Sequence, residues 1–323
     1  MSRPPSRAGC YTNGRMCCAA KWRFGLRLAG GCSVLALVVT ATTVAAQTSK
    51  APEISPEELV RSVVANEVAA ANNTTVKHIF RSRRQTPKGS QTRLYVETND
   101  AMAGMLIAIN DEPLTQPQQE GEANHLAWLM NNPDQLRKKH ARENEDAERT
   151  LRIVKALPDA FRFGYADVGN SEAGANSHTV RLNFVPNTSY SPPSHVEQAL
   201  TGMRGYLLLD TDSRRIALID AALFKDVTFG WGFLGRLDKG GHFRVRQADL
   251  GDGTWDITEM NLDITGKILL FKSLSMVSDE VFSDFRRVPD NLTFAEGVKL
   301  LNAEREKLRQ SPPSELSVKK SQP

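Results

Sequence analysis

Between Gly202 and Val288 the chain is a succession of short apolar runs separated by turn residues, and inside it Phe229-Gly230-Trp231-Gly232-Phe233-Leu234-Gly235 alternates aromatic residues strictly with glycines. Side chains of an extended strand point alternately to its two faces. Phe229, Trp231 and Phe233 would then share one face, while Gly230 and Gly232 leave the other bare. Glycine inside a strand marks a bulge, a bend, or close approach by a ligand or another backbone. Two readings follow: a curved strand, about residues 224–234, whose aromatics are ordinary core, or a strand lining an apolar cavity. On the second reading Phe229, Trp231, Phe233 and Leu234 are the ligand-binding residues.

The neighbouring runs continue the pattern. Residues 205–209 and 214–219 flank an acidic turn at 210–213, the chemistry of a hairpin. Residues 242–246 and 255–264 are separated by Gly251-Asp252-Gly253. The period-2 parity slips between Ile257 and Met260, which predicts a β-bulge near Thr258 and Glu259. Further strands are expected at 268–271 and 281–288. Upstream, 76–80, 92–97, 105–110, 161–165 and 178–186 also alternate as strands do.

Helical signals interrupt this series. Ser55-Pro56-Glu57-Glu58 is a capping box with proline in the first turn, opening a helix over 56–71 with a Leu59, Val60, Val63, Val64, Val68 stripe. Residues 118–130 and 134–156 read as a shorter and a longer helix, split by Asn132-Pro133. The longer one is densely charged until Leu151, so only its C-terminal end can be well buried. It is either a solvated helix supported by i,i+4 pairs or a docking helix for an envelope protein partner. A second capping box at Thr293-Phe294-Ala295-Glu296 starts a helix to about 309. About eleven or twelve strands in consecutive hairpins, with helices on one side, imply an α+β fold: a curved antiparallel meander, or half-barrel, wrapped around or packed on helices.

The N-terminus constrains compartment. Residues 32–46 are an apolar run preceded by Lys21, Arg23 and Arg27 and ending in Val44-Ala45-Ala46. That is the layout of a secretory signal peptide cleaved near Ala46. The run is shorter than the roughly 20 residues a membrane span needs, so no stable span is expected after cleavage, although an uncleaved anchor is the alternative. Met16 would give a signal of conventional length. Residues 1–46 carry six basic residues and no acid, so their removal takes the formal charge from +4 to −2. The basic balance therefore belongs to the leader and gives no reason to expect nucleic acid. All four cysteines lie in the same segment, so the exported chain would be held by its core without disulfides. The expected organisation is a signal peptide (1–46), a polar lead-in (47–54), one globular domain (55–309) and a disordered tail (310–323), in the periplasm or secreted.

Catalytic patterns are missing. There is no His-Glu-x-x-His zinc motif, no Gly-x-Ser-x-Gly elbow, no phosphate-binding glycine loop and no cysteine nucleophile in the exported part. The six histidines fall in different predicted elements. Asp249, Asp252 and Asp256 crowd one hairpin without calcium-loop spacing, and a polar turn accounts for them. No catalytic residue, metal or cofactor is expected. A hydrolase with an unrecognised site is the least favoured reading.

Residues 227–243 (VTFGWGFLGRLDKGGHF), Trp255, Gly266-Lys267 and 285–293 (FRRVPDNLT), with Asn110-Asp111-Glu112-Pro113-Leu114, resemble a family of uncharacterised secreted bacterial proteins. In layout, without a specific shared motif, the chain is also similar to the periplasmic carriers of outer-membrane lipoproteins. What that resemblance implies is a curved sheet around helices with an apolar cavity for acyl chains, and a lipid or lipoprotein as partner.

Overall fold

Ser55 opens the first helix as its sequence demands. Its hydroxyl accepts the Glu58 N–H at 3.2 Å while the Glu58 carboxylate accepts the Ser55 N–H at 3.2 Å. Helix α1 (Pro56–Ala71) then buries Leu59, Val60, Val63, Val64 and Glu67 on one face. The computed structural model describes residues 54–73, 75–166, 178–230, 234–268 and 272–310, all within one unit, Ala51–Pro323.

Strands β1 (Lys77–Thr86), β2 (Gly89–Val96), β3 (Ala103–Ile109) and the short β4 (Glu112–Pro113) form a meander. Helices α2 (Gln116–Asn131) and α3 (Pro133–Ala160) follow. A second, longer series comprises β5 (Phe161–Tyr165), β6 (Thr179–Pro186), the short α4 (His195–Gln198), β7 (Met203–Asp210), β8 (Arg215–Leu223), β9 (Val227–Phe229), β10 (Gly235–Leu237), β11 (His242–Asp249), β12 (Trp255–Ile268) and β13 (Lys272–Val288). Helix α5 (Phe294–Gln310) ends the described chain.

Antiparallel pairing joins these strands into one sheet ordered β4-β3-β2-β1-β13-β12-β11-β8-β7-β6-β5, with β10 on β12 and β9 on β10. The path is linear and does not close into a barrel. The expected α+β curved antiparallel sheet is therefore present, with thirteen strands. The first strand pairs with the last, Lys77 opposite Val288 and Gln85 opposite Asp279. That pairing makes β1 a central strand, and Ile79, Phe80 and Ser82 are all buried there.

The polypeptide leaves the sheet at one edge, β4, and re-enters at the other, β5. Helix α3 makes most of that crossing: 28 residues at 1.5 Å each span about 42 Å. Its Leu136 packs with Ile79, Leu94, Val96, Met105, Phe294, Val298 and Leu301 in one core cluster. Its Ile153, Val154, Leu157 and Ala160 join Leu59, Val63, Leu182, Leu207, Leu209 and Ile216 in another. A third, smaller cluster gathers Leu223, Val227 and Ile264.

Three sequence expectations need correction. The segment 224–234 is not one extended strand. β9 ends at Phe229, β10 begins at Gly235, and the two pair antiparallel with Phe229 opposite Gly235. Gly230 adopts φ +54°, a left-handed conformation that glycine takes at little cost, and this reverses the chain. Helix α3 runs one turn past 156 and through Pro158, because burial of Leu157, Pro158 and Ala160 holds that turn. Strand β13 starts at Lys272, well before 281; the residues 269–271 expected to form their own strand lie outside the described residues, as does the tail beyond 310.

Candidate functional site

Residues directly opposite each other in an antiparallel ladder share a face of the sheet. The pairs Leu207–Ile219, Ile219–Val245, Val245–Met260 and Met260–Glu280 therefore trace one face across β7, β8, β11, β12 and β13. This is the face on which α1 packs, since Leu207 belongs to the α1 cluster. On β11–β13 it presents Phe243, Val245, Met260, Leu262, Ile264, Leu274, Met276, Ser278, Glu280 and Phe282. The other face is the one that α5 covers at the β1–β3 end. On β11–β13 it presents His242, Arg244, Arg246, Glu259, Asn261, Asp263 and Asp279, besides Val277 and Val281.

The two faces differ in chemistry. On the α5 face, Asp220 is shared by His242 (Nε2 to Oδ1, 2.9 Å) and Arg244 (Nη1 to Oδ2, 3.0 Å). Arg246 meets Glu259 at 3.5 Å, and Asn261 donates to Asp279 at 2.9 Å. These are cross-strand pairs between partly buried or exposed side chains. On the α1 face no such lattice exists among the described residues. Phe243, Met260, Leu262 and Phe282 are only half-buried there, and Met276 is 39% exposed. The described helices pack mainly on β2, β3, β5, β8 and β9, and none packs extensively on β11, β12 or β13. An apolar band thus lies in the middle of the sheet with no described helix packed extensively over it, and Val245 and Ile264 within it are buried.

The band continues onto the neighbouring strands through aromatic contacts. Phe80 stacks on Tyr95 (5.4 Å between centroids) and on Phe285 (5.1 Å), with Phe282 at 6.2 Å. Burial pushes the Tyr95 phenol above its ordinary pKa. Two polar groups interrupt the band: Ser278 is buried, and the Glu280 carboxylate accepts a hydrogen bond from the Ser82 hydroxyl.

At one end of the band the turn between β11 and β12 meets the start of β1. His78 is buried, with Nε2 at 2.9 Å from Asp252 Oδ2 and Nδ1 at 3.4 Å from Glu97 Oε2. Thr254 hydrogen bonds first, and the His78 contact second, hold the Asp252 carboxyl down at about 2. Desolvation raises the nearby Asp256 carboxyl, opposed by a hydrogen bond from the Ile257 N–H. The turn acids expected from sequence are thus satisfied locally: Asp249 accepts the Gly251 N–H, Asp252 the Thr254 N–H and hydroxyl. No cluster of histidine and acidic side chains among the described residues has the geometry to hold a metal ion. The predicted bulge lies alongside: Arg246 faces Glu259 and Gln247 faces Ile257, leaving Thr258 as the extra residue.

Of the residues singled out from sequence, Phe229 and Leu234 fall at the other end. Phe229 packs against the Leu223, Val227, Ile264 cluster and meets the His195 ring edge-on at 6.0 Å. Leu234 is 50% exposed, and its N–H donates to the Phe229 carbonyl at 3.3 Å. Trp231 and Phe233 lie outside the described residues. Sequence reading did not single out Phe243, Met260, Leu262 and Phe282. Their alternation with charged residues was visible, but which face lacked a helix was not.

The charged helix α3 carries ion pairs of its own. Lys139 pairs with Glu143 and Arg137 with Asp134, while Arg149 meets Asp146 at 2.7 Å. Six of its charged side chains are thus paired within the helix, while Arg152 meets Glu197 and Asp159 meets Arg61 outside it.

No protein-family model matches the chain, and no curated protein matches it. Among solved structures it is similar to an outer membrane lipoprotein-sorting protein domain from Vibrio parahaemolyticus, at 11% identity and a TM-score of 0.28, over 75% of this chain and 99% of that one. No described helix is long and apolar enough to cross a membrane.

Proposed function

We propose that this protein is a non-catalytic cell-envelope component that binds an acyl chain, of a lipid or a lipoprotein, along the α1 face of β11–β13. The observation that carries the reading is the contrast between the two faces of the same three strands. One is cross-linked by ion pairs, and the other offers half-buried Phe243, Met260, Leu262 and Phe282 with no described helix packed extensively over them. Apolar patches left open in this way mark sites of interaction. Covering one gains about 25 cal/mol per Å² of apolar area, and a flexible chain laid along the strands fits a band of this shape. The export-type N-terminus supports the envelope location, periplasmic or secreted.

The test is native mass spectrometry of the protein purified gently from an exporting host, followed by organic extraction and lipid identification. A stoichiometric co-purifying lipid is the expected result. A protein that is empty, and that also fails to take up an added fluorescent fatty acid, would sink the reading.

A further inference from the structure

At the end of the apolar band remote from His78, two hairpins are brought side by side. Strand β10 pairs with β12, Gly235 opposite Ile268, and β12 pairs with β13, Ile268 opposite Lys272. Leu234 adjoins the first of these pairs. Leu234 and Ile268 are 50% and 38% exposed, although both are large aliphatic side chains. Lys267 and Lys272 flank them, are exposed, and form no ion pair with any described residue. Arg236 differs, being tied to Asp238 at 2.8 Å and to Asp226 at 3.7 Å. In sequence the two hairpin segments, 227–237 and 264–277, contain no acidic residue.

From these observations we infer that this end of the sheet docks on the surface of an anionic lipid bilayer. Exposed aliphatic side chains would enter the acyl boundary, while the two free lysines, reaching outward on flexible stems, meet lipid phosphates. Charge and shape agree on that occupant. The aliphatic pair offers little area for a stable protein interface, whereas a bilayer supplies an apolar and an anionic layer together. The inference stands on exposure and charge at Leu234, Ile268, Lys267 and Lys272, and does not require that the band itself hold a ligand.

Co-sedimentation with vesicles tests it, using the full chain, phosphatidylglycerol/phosphatidylcholine vesicles and vesicles of phosphatidylcholine alone. The wild type is expected to pellet with the anionic vesicles and far less with the neutral ones, with binding that weakens as salt rises. Leu234→Asp/Ile268→Asp and, separately, Lys267→Glu/Lys272→Glu should each weaken vesicle binding at least about tenfold. Both double variants change exposed side chains, and each should keep the wild-type urea midpoint. Absence of binding by the wild type to anionic vesicles, or unchanged binding by both variants, would overturn the inference. Failure of the wild type to take up fatty acid, with vesicle binding intact, would count against the ligand-binding reading alone.

Discussion

His78 Nε2 lies 2.9 Å from Asp252 Oδ2, joining the central strand β1 to a turn 174 residues further along the chain. The imidazole is buried, and the second oxygen of Asp252 is engaged by Thr254 through its N–H at 3.1 Å and its hydroxyl at 2.6 Å. These bonds hold the Asp252 carboxyl at about 2, below its ordinary 3.8. A carboxyl whose folded pKa is depressed adds stability above its unfolded pKa, and that stability is lost as pH falls through the folded value. Asp252→Asn should therefore be less stable than the wild type at neutral pH. The difference should shrink between about pH 4 and about pH 2, where the wild-type carboxyl also becomes protonated. Urea titrations of both proteins at about pH 7, 4 and 2.5 measure this; an equal gap at all three would rule out the carboxylate charge as the cause.

Glu67 anchors α1 to the sheet by the same kind of long-range contact. Its carboxylate accepts the Ile216 N–H at 2.7 Å and the Arg215 Nε–H at 3.0 Å, with Arg215 Nη2 at 3.0 Å from its other oxygen. Both side chains are largely buried. Removing the carboxylate leaves a buried guanidinium without its counter-charge and a buried amide unpaired, which costs about 3–5 kcal/mol. Glu67→Ala is expected to lower unfolding stability by that amount. Glu67→Gln should lose less, because its carbonyl can still accept the Ile216 N–H. Equilibrium urea unfolding decides between them, and equal losses would show that helix packing, rather than the bonds, carries the effect.

What could be read from the sequence was local chemistry. The capping boxes at Ser55 and Thr293 and the bulge at Thr258 follow from residues within a few positions of each other, and so did the alternating runs that gave the antiparallel class. What escaped depended on partners distant in the chain. β13 looks weak before Val281 because Lys272, Ser273, Ser275 and Ser278 dilute its alternation, yet pairing with β12 from Ile268 to Glu259 stabilises it. The Phe229–Gly235 alternation fits either an extended strand or a reversal, and the pairing of β9 with β10 and the positive φ of Gly230 distinguish them. The candidate face was hidden for a further reason. Period-2 patterning shows that β11–β13 have an apolar and a polar side, but not which side a helix will leave open.

Tyr95 and Gly104 face each other across β2 and β3, and the aromatic ring lies over the glycine. A Cβ at position 104 would stand 2.6 Å from Tyr95 Cε1 and 2.9 Å from Cδ1, so the ring would have to leave its stack on Phe80. Gly104→Ala is expected to cost about 1–3 kcal/mol, as other overpacking substitutions do. In a Tyr95→Ala background the obstacle is gone, and the same substitution should be nearly neutral. A double-mutant cycle in urea measures the coupling. Additive losses would place the cost in the backbone of β3 and not in the ring.

The contrast between the faces of β12 can be tested with neighbouring residues. Leu262 lies opposite Phe243 and Ser278 on the α1 face, whereas Asp263 points to the other face, exposed and opposite His242 and Val277. An added carboxylate on the α1 face must be desolvated when an apolar ligand covers it, and an unpaired buried charge is costly. Leu262→Asp should therefore weaken fatty-acid uptake by at least about tenfold, equivalent to 1.4 kcal/mol. Asp263→Asn, one residue away, should leave uptake unchanged. Leu262 is half-buried, so its substitution could act by weakening the fold. Met276→Asp separates the two effects, since Met276 is exposed on the same face and its urea midpoint should stay at the wild-type value. If Met276→Asp and Leu262→Asp both bind as tightly as the wild type, the ligand does not lie on this face. If Asp263→Asn loses uptake as well, the face assignment made from strand register is wrong.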